Sequence, residues 1–117
     1  MSTVQIYHNP RCSKSRQALS LLEQQGVDID VILYLETPPD TASLSELLQL
    51  LGMSARDLMR KGEDVYKELK LDNLELSEAD LVQAMVDYPK LIERPIIIRD
   101  GKALVARPPE KLLELFA

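Results

Sequence analysis

The chain has 117 residues, 45% of them apolar, enough to bury a core without help from disulfides or metal. Its 14 basic and 19 acidic residues leave a net charge of −5, which argues against a general binder of nucleic acid or anionic membrane. No apolar run approaches the roughly 20 residues that span a bilayer, no secretion-signal layout opens the chain, and a lone cysteine excludes an internal disulfide or a zinc cluster, so a cytoplasmic protein without bound metal is expected.

Taken in order, "TVQIY" over residues 3–7 alternates as a strand does, and residues 13–25 carry Ala18, Leu19 and Leu22 at helical spacing, with Gly26 as the residue that lets the chain leave the helix. A second strand is expected around 29–35, parallel to the first because the connection has the length of a right-handed crossover. After "ETPPD" the pattern turns helical over about 42–88. Ser43 and Glu46 make a capping-box spacing ahead of Leu44, Leu47, Leu48 and Leu51, and Gly52 stops that helix. A short helix follows from Ser54 to about Arg60, then a turn or two marked by Val65, Tyr66 and Leu69. Ser77 and Asp80 open a longer helix bearing Leu81, Ala84, Met85 and Tyr88, which Pro89 ends.

The tail changes character. Two short strand candidates flank Asp100-Gly101, the preferred pair for a type I′ hairpin, so these strands should be antiparallel. Pro108 or Pro109 then begins a last helix with Leu112, Leu113 and Phe116 as its buried face. The order βαβ, helices, ββα predicts an α/β sandwich around a mixed four-stranded sheet, one domain over 1–117 with a helical insertion.

Chemistry gathers at the first strand-to-helix junction, "IYHNPRCSKSRQA". Cys12 falls at a helix N-terminus, where unpaired N–H groups favour an anion, and a thiolate is one. Its alternative, a small core hydrophobe, is disfavoured by polar and turn-forming neighbours: Asn9, Pro10, Arg11, Ser13, Lys14 and Ser15 make a poor apolar wall. Arg11, Lys14 and Arg16 would each favour the thiolate, and His8 would orient the loop or be merely structural. Arg94 and Arg107 each precede a proline and border the outer end of the expected hairpin, which brings them side by side, or else leaves them as solvated charges. Arg60 reads from position alone as a cation at a helix C-terminus. Guanidinium groups meeting at Cys12 would suit a tetrahedral oxyanion.

Tyr7-His8-Asn9-Pro10-x-Cys12-x-x-Ser15-Arg16, Leu33-Tyr34-Leu35-x-x-Pro38-Pro39, Arg60-Lys61, Arg94-Pro95-Ile96 and Arg107-Pro108 together resemble the glutaredoxin-coupled arsenate reductase family, over nearly the whole chain. The length and "NPRCSKSR" are most similar to its short YfgD-type branch. The resemblance implies a thioredoxin-like fold, Cys12 as nucleophile, Arg60, Arg94 and Arg107 as the oxyanion-binding set, and a cis bond before Pro95. Arsenate would be the substrate and glutathione a co-substrate, glutaredoxin would be the protein partner, and no cofactor would stay bound.

One departure stands in the active loop: Ser13-Lys14 replaces the Gly-Thr pair that follows the cysteine in the family's arsenate reductases, adding a cation and removing a flexible residue. Ser15 occupies the place of the second cysteine of the Spx-type regulators, so an internal thiol switch is excluded. The competing readings are a monothiol redox adaptor and an Spx-like protein-binding regulator. The phosphatase-like arsenate reductases need Cys-x5-Arg, and position 18 holds Ala18.

Overall fold

The structure, a computed structural model, describes residues 3–116. The backbone groups into two compact units, one formed by the residues up to Thr37 with those from Arg94 onward, the other by Pro38–Glu93.

In the first unit β1 (Thr3–Tyr7), α1 (Ser13–Gln24) and β2 (Asp28–Ile32) form the expected crossover, with β1 and β2 parallel. β3 (Ile96–Arg99) runs antiparallel to β1 and β4 (Lys102–Val105) antiparallel to β3, giving the sheet order β2-β1-β3-β4. This is the mixed four-stranded sheet of the thioredoxin-like α/β fold. Alternation in β1 sends Val4 and Ile6 to one face, where they meet Ile97 of β3, Ala18 and Leu22 of α1, and Leu112, all fully buried. Gly26, at φ 69°, takes the left-handed conformation that releases the chain from α1. Asp100 and Gly101 both have positive φ, 50° and 75°, as a type I′ turn requires.

Two expectations for this unit need correction. β2 stops at Ile32, short of residue 35, because Leu33 turns the chain and its carbonyl accepts the N–H groups of Glu36 and Thr37. Tyr34 is buried for packing, its ring stacked on Tyr7 at 6.2 Å between centroids, and not for strand pairing. The closing segment, Pro109–Phe116, is a 3-10 helix. Its period of 3.0 residues lines up Pro109, Leu112 and Leu115 on the inward side, while Leu113, expected on the buried face, is 42% exposed. Phe116 keeps its place against the core, with the Arg99 guanidinium 4.1 Å from its ring centroid.

The second unit holds α2 (Thr41–Leu51), α3 (Ala55–Leu58), α4 (Asp64–Glu68), α5 (Glu78–Asp87) and a 3-10 turn at Pro89–Leu91. α2 starts earlier than the Ser43 capping box suggests. Asp40 is its cap, accepting the Ser43 N–H at 2.7 Å, and the two prolines before it hold the chain extended up to that point. Leu44, Leu47 and Leu48 are buried as expected, and Gly52 closes the helix at φ 66°. Ser54 with Asp57 and Ser77 with Asp80 make reciprocal capping boxes at α3 and α5.

α3 ends at Leu58 and does not reach Arg60, because the chain enters an isolated antiparallel bridge between Met59 and Ile92. The Arg60 N–H donates to the Leu91 carbonyl at 2.7 Å and the Glu93 N–H to the Leu58 carbonyl at 3.1 Å. Leu69 and Tyr88 lie just past their helices and are exposed over about two-fifths of their surface, 43% and 41%. Among the described residues no helix is long and apolar enough to cross a membrane.

Candidate active site

The end of β1 and the start of α1 enclose a short loop, and its polar atoms account for its shape. His8 donates its backbone N–H to the Ile32 carbonyl at 2.9 Å, extending the sheet contact one residue beyond Tyr7. Asn9 is buried and works twice: its side-chain Oδ1 accepts the Arg11 N–H at 3.0 Å, and its carbonyl accepts the Cys12 N–H at 3.0 Å. Cys12 follows as the N-cap of α1 with an extended backbone, φ −95° and ψ 122°, and its carbonyl accepts the Arg16 N–H as the first helical bond.

Ser15 lies on the first turn of α1 and is fully buried. Its hydroxyl accepts the Asn9 N–H at 3.0 Å and lies 2.7 Å from His8 Nδ1. The oxygen can accept from Asn9 and still either donate to or accept from Nδ1, so the contact braces the ring in both neutral tautomers. His8 is held below the usual histidine range, first by burial and then by the Arg16 charge. It is therefore a neutral ring that braces the loop through Ser15. Arg16, expected to favour the thiolate, instead donates from Nη1 to the Pro10 carbonyl at 2.8 Å and staples the loop from outside.

The thiol is half-buried and free. Burial pushes its pKa up, but the Ser15 N–H, the Arg94 side chain with its hydrogen bond and charge, and the Lys14 N–H outweigh this, and the net direction is down. Lys14 acts here through its backbone amide. The rate of alkylation against pH should accordingly show a midpoint below the 8.5 or so of free cysteine; a midpoint at or above that value would mean an unactivated thiol.

Arg94 precedes β3 and Arg107 follows β4, so the hairpin brings them together: Arg107 Nη1 donates to the Arg94 carbonyl at 3.1 Å. The peptide bonds before Pro95 and Pro108 are both cis, the first as expected. Pro95 is itself buried, and its carbonyl accepts the Ala106 N–H at 2.9 Å, which ties the two arginine-bearing ends by their backbones. Arg60 belongs to the helical unit, where its guanidinium meets Glu63 at 3.4 Å and Glu93 at 3.2 Å. Among the described residues no group of three or more His, Cys, Asp or Glu side chains is placed to hold a metal ion.

The profile of the ArsC family matches residues 7–115. The chain belongs to the ArsC family. It is 62% identical to the Uncharacterized protein YfgD of Escherichia coli (strain K12) over 113 residues, 96% of this chain and 95% of that one. To an Arsenate reductase of Neisseria meningitidis it is 51% identical over 113 residues, covering 96% of this chain and 97% of the other. Among solved structures, the arsenate reductase from Vibrio cholerae is similar with a TM-score of 0.93 at 52% identity, covering 96% of each chain.

In this ArsC-family chain the residue that sequence reasoning passed over is Asn9. In sequence it stands as a polar neighbour of Cys12 and a member of the family motif with no role of its own, yet it holds both the Arg11 and the Cys12 amides. Ser15, which stood out as an absent second cysteine, carries a structural load in its own right. Ser15→Ala should cost about 1–3 kcal/mol, because the Asn9 N–H and His8 Nδ1 lose a buried partner. Urea denaturation would read this; an unchanged midpoint would show that the hydroxyl is not what holds the ArsC loop.

Proposed function

We propose that the protein is an arsenate reductase in which Cys12 is the nucleophile. The observation that carries this reading is the setting of the thiol, at the N-cap of α1 with its anion favoured by helix N–H groups and hydrogen-bonded by Arg94. Support also comes from the relatives named arsenate reductase in Neisseria meningitidis and Vibrio cholerae, at 51% and 52% identity.

In this scheme the Cys12 thiolate attacks arsenic, a sulfur–arsenic bond forms, and one oxygen leaves as water after taking up protons. Arg94 stabilises the charge on the remaining oxygens, and Arg107 holds the Arg94 backbone while adding its own charge. Arg60, which the family resemblance adds to this set, has its guanidinium beside Glu63 and Glu93 in the helical unit. Glutathione then forms a second sulfur–arsenic bond, and the oxygen it displaces takes up protons, one from the incoming thiol, and leaves as water. The bond between the two sulfurs forms as their electrons pass to arsenic, As(V) becomes As(III), and arsenite leaves. Glutaredoxin removes glutathione from the resulting mixed disulfide on Cys12. Ser15 cannot resolve that disulfide internally, since it has no thiol and its hydroxyl is spent on Asn9 and His8.

The test is arsenate-dependent NADPH oxidation in the presence of glutathione, glutathione reductase and glutaredoxin. Turnover that stops when arsenate or glutaredoxin is left out is expected. The reading fails if arsenate neither turns over nor protects Cys12 from alkylation while glutathione disulfide still modifies it; the protein would then be a monothiol redox adaptor.

A further inference from the structure

The loop that presents Cys12 also forms one wall of a cavity of about 290 Å³. His8, Asn9, Pro10 and Arg11 line it from the loop, and Leu33, Leu35 and Glu36 from the turn after β2. That volume lies at the lower end of the range for small-molecule sites. Neither Cys12 nor Arg94 lines the cavity, which reaches Arg11 and stops one residue before the thiol. Arg11, the last lining residue on the loop, immediately precedes Cys12 in the chain.

The lining has a definite chemical layout. Leu33 and Leu35 supply an apolar wall, and Leu35 stays 42% exposed, a surface that gains from being covered. Arg11 and Glu36 supply opposite charges, both exposed, and among the described residues neither side chain takes part in an ion pair. Their backbones are held: the Arg11 N–H by Asn9 Oδ1 and the Glu36 N–H by the Leu33 carbonyl. His8 has Nδ1 committed to Ser15, so Nε2 is its remaining polar atom. A bare oxyanion would find a carboxylate in this cavity. A molecule with an ammonium and a carboxylate a few ångströms apart, the amino-acid end of a small peptide, would find a partner for each charge.

We infer that this cavity binds a small zwitterionic thiol of the glutathione class, Glu36 receiving its ammonium and Arg11 its carboxylate, with its sulfur extended past Arg11 to Cys12. This rests on the function proposed above, in which such a thiol completes the reduction. It deepens that reading by separating the two ligands: the oxyanion belongs to Arg94 beside the thiol, the reductant to the Arg11–Glu36 cavity. The covalent steps are those already given, with the bound thiol's sulfur forming the disulfide to Cys12 as arsenic takes up the electron pair.

S-methylglutathione, which cannot form a disulfide, is the probe. Titrated into ¹⁵N-labelled protein, it should shift the backbone amides of residues 33–36 and of Asn9 and Arg11. Glu36→Gln and Arg11→Ala should each weaken its binding about tenfold. N-acetylation of the probe should weaken binding to the parent by a similar factor but have little further effect on Glu36→Gln. Shifts that map elsewhere, or an affinity that neither substitution changes, would overturn the inference. Because the titration involves no arsenate, it gives its answer even if arsenate reduction fails, so the two failures can be told apart.

Discussion

Cys12→Ser should leave a folded protein with no measurable arsenate turnover. Removal of a catalytic nucleophile can cost on the order of a millionfold in rate, so the assay floor will be met first. Serine is nearly isosteric but stays protonated at neutral pH and cannot supply the anion that Ser15, Lys14 and Arg94 favour. The fold has no reason to suffer, since Cys12 occupies the N-cap of α1 and serine is among the preferred residues there. Urea unfolding should therefore give a midpoint equal to or above that of the parent, measured on the same sample that fails to turn over. A variant that folds and keeps near-normal turnover would remove Cys12 from the mechanism altogether.

Arg94→Ala should lower kcat/KM for arsenate by about one to two decades, the equivalent of a charge-assisted hydrogen bond worth roughly 1.5–3 kcal/mol. The same change should move the midpoint of Cys12 alkylation upward, because the Arg94 hydrogen bond and charge both favour the thiolate. Lys at 94 should restore part of the charge effect but not the planar two-pronged geometry, so its recovery should be incomplete. Arg107→Ala should also lower kcat/KM for arsenate, since Arg107 Nη1 donates to the Arg94 carbonyl and holds that end of the hairpin. Equal activity and equal alkylation profiles in parent and Arg94→Ala would show that this guanidinium is a bystander.

What could be read in advance was whatever the chain specifies over short distances. The Asp100-Gly101 turn, the Ser54 and Ser77 caps and the release of α1 at Gly26 each depend on two to four neighbouring residues, and each is found where its chemistry puts it. The cap of α2 was misplaced because Asp40 sits inside a proline-rich stretch that reads as loop, while Ser43 offered a second, unused box. Leu33-Tyr34-Leu35 looked like strand because apolar runs do not distinguish pairing from packing, and Tyr34 is buried against Tyr7 without a ladder.

The site divides the same way. Cys12 at the helix start was legible as a local pattern, whereas the Arg94 contact with it joins residues 82 positions apart (94 − 12) and was carried only by family resemblance. Arg16 shows the limit of counting charges near a cysteine in sequence: on the first turn of α1 its side chain runs back to Pro10 and its field falls on His8. The partnership of His8, Ser15 and Asn9 was hidden because no spacing rule links a strand end to a helical serine through a buried hydroxyl.

The hairpin carries a consequence for how the anion site is gauged. Asp100 and Gly101 face solvent at the end of β3 and β4 remote from Arg94 and Arg107, roughly 20 Å away at the strand rise of about 3.3 Å per residue. Yet that pair dictates that Ile96 stands opposite Val105, and so which carbonyl Arg107 can reach. One residue added to the turn would slip every partnership by a position and turn the side chains of one strand to the other face. Such a chain would keep both arginines and lose their meeting, which makes an exposed turn the measuring end of the proposed anion site.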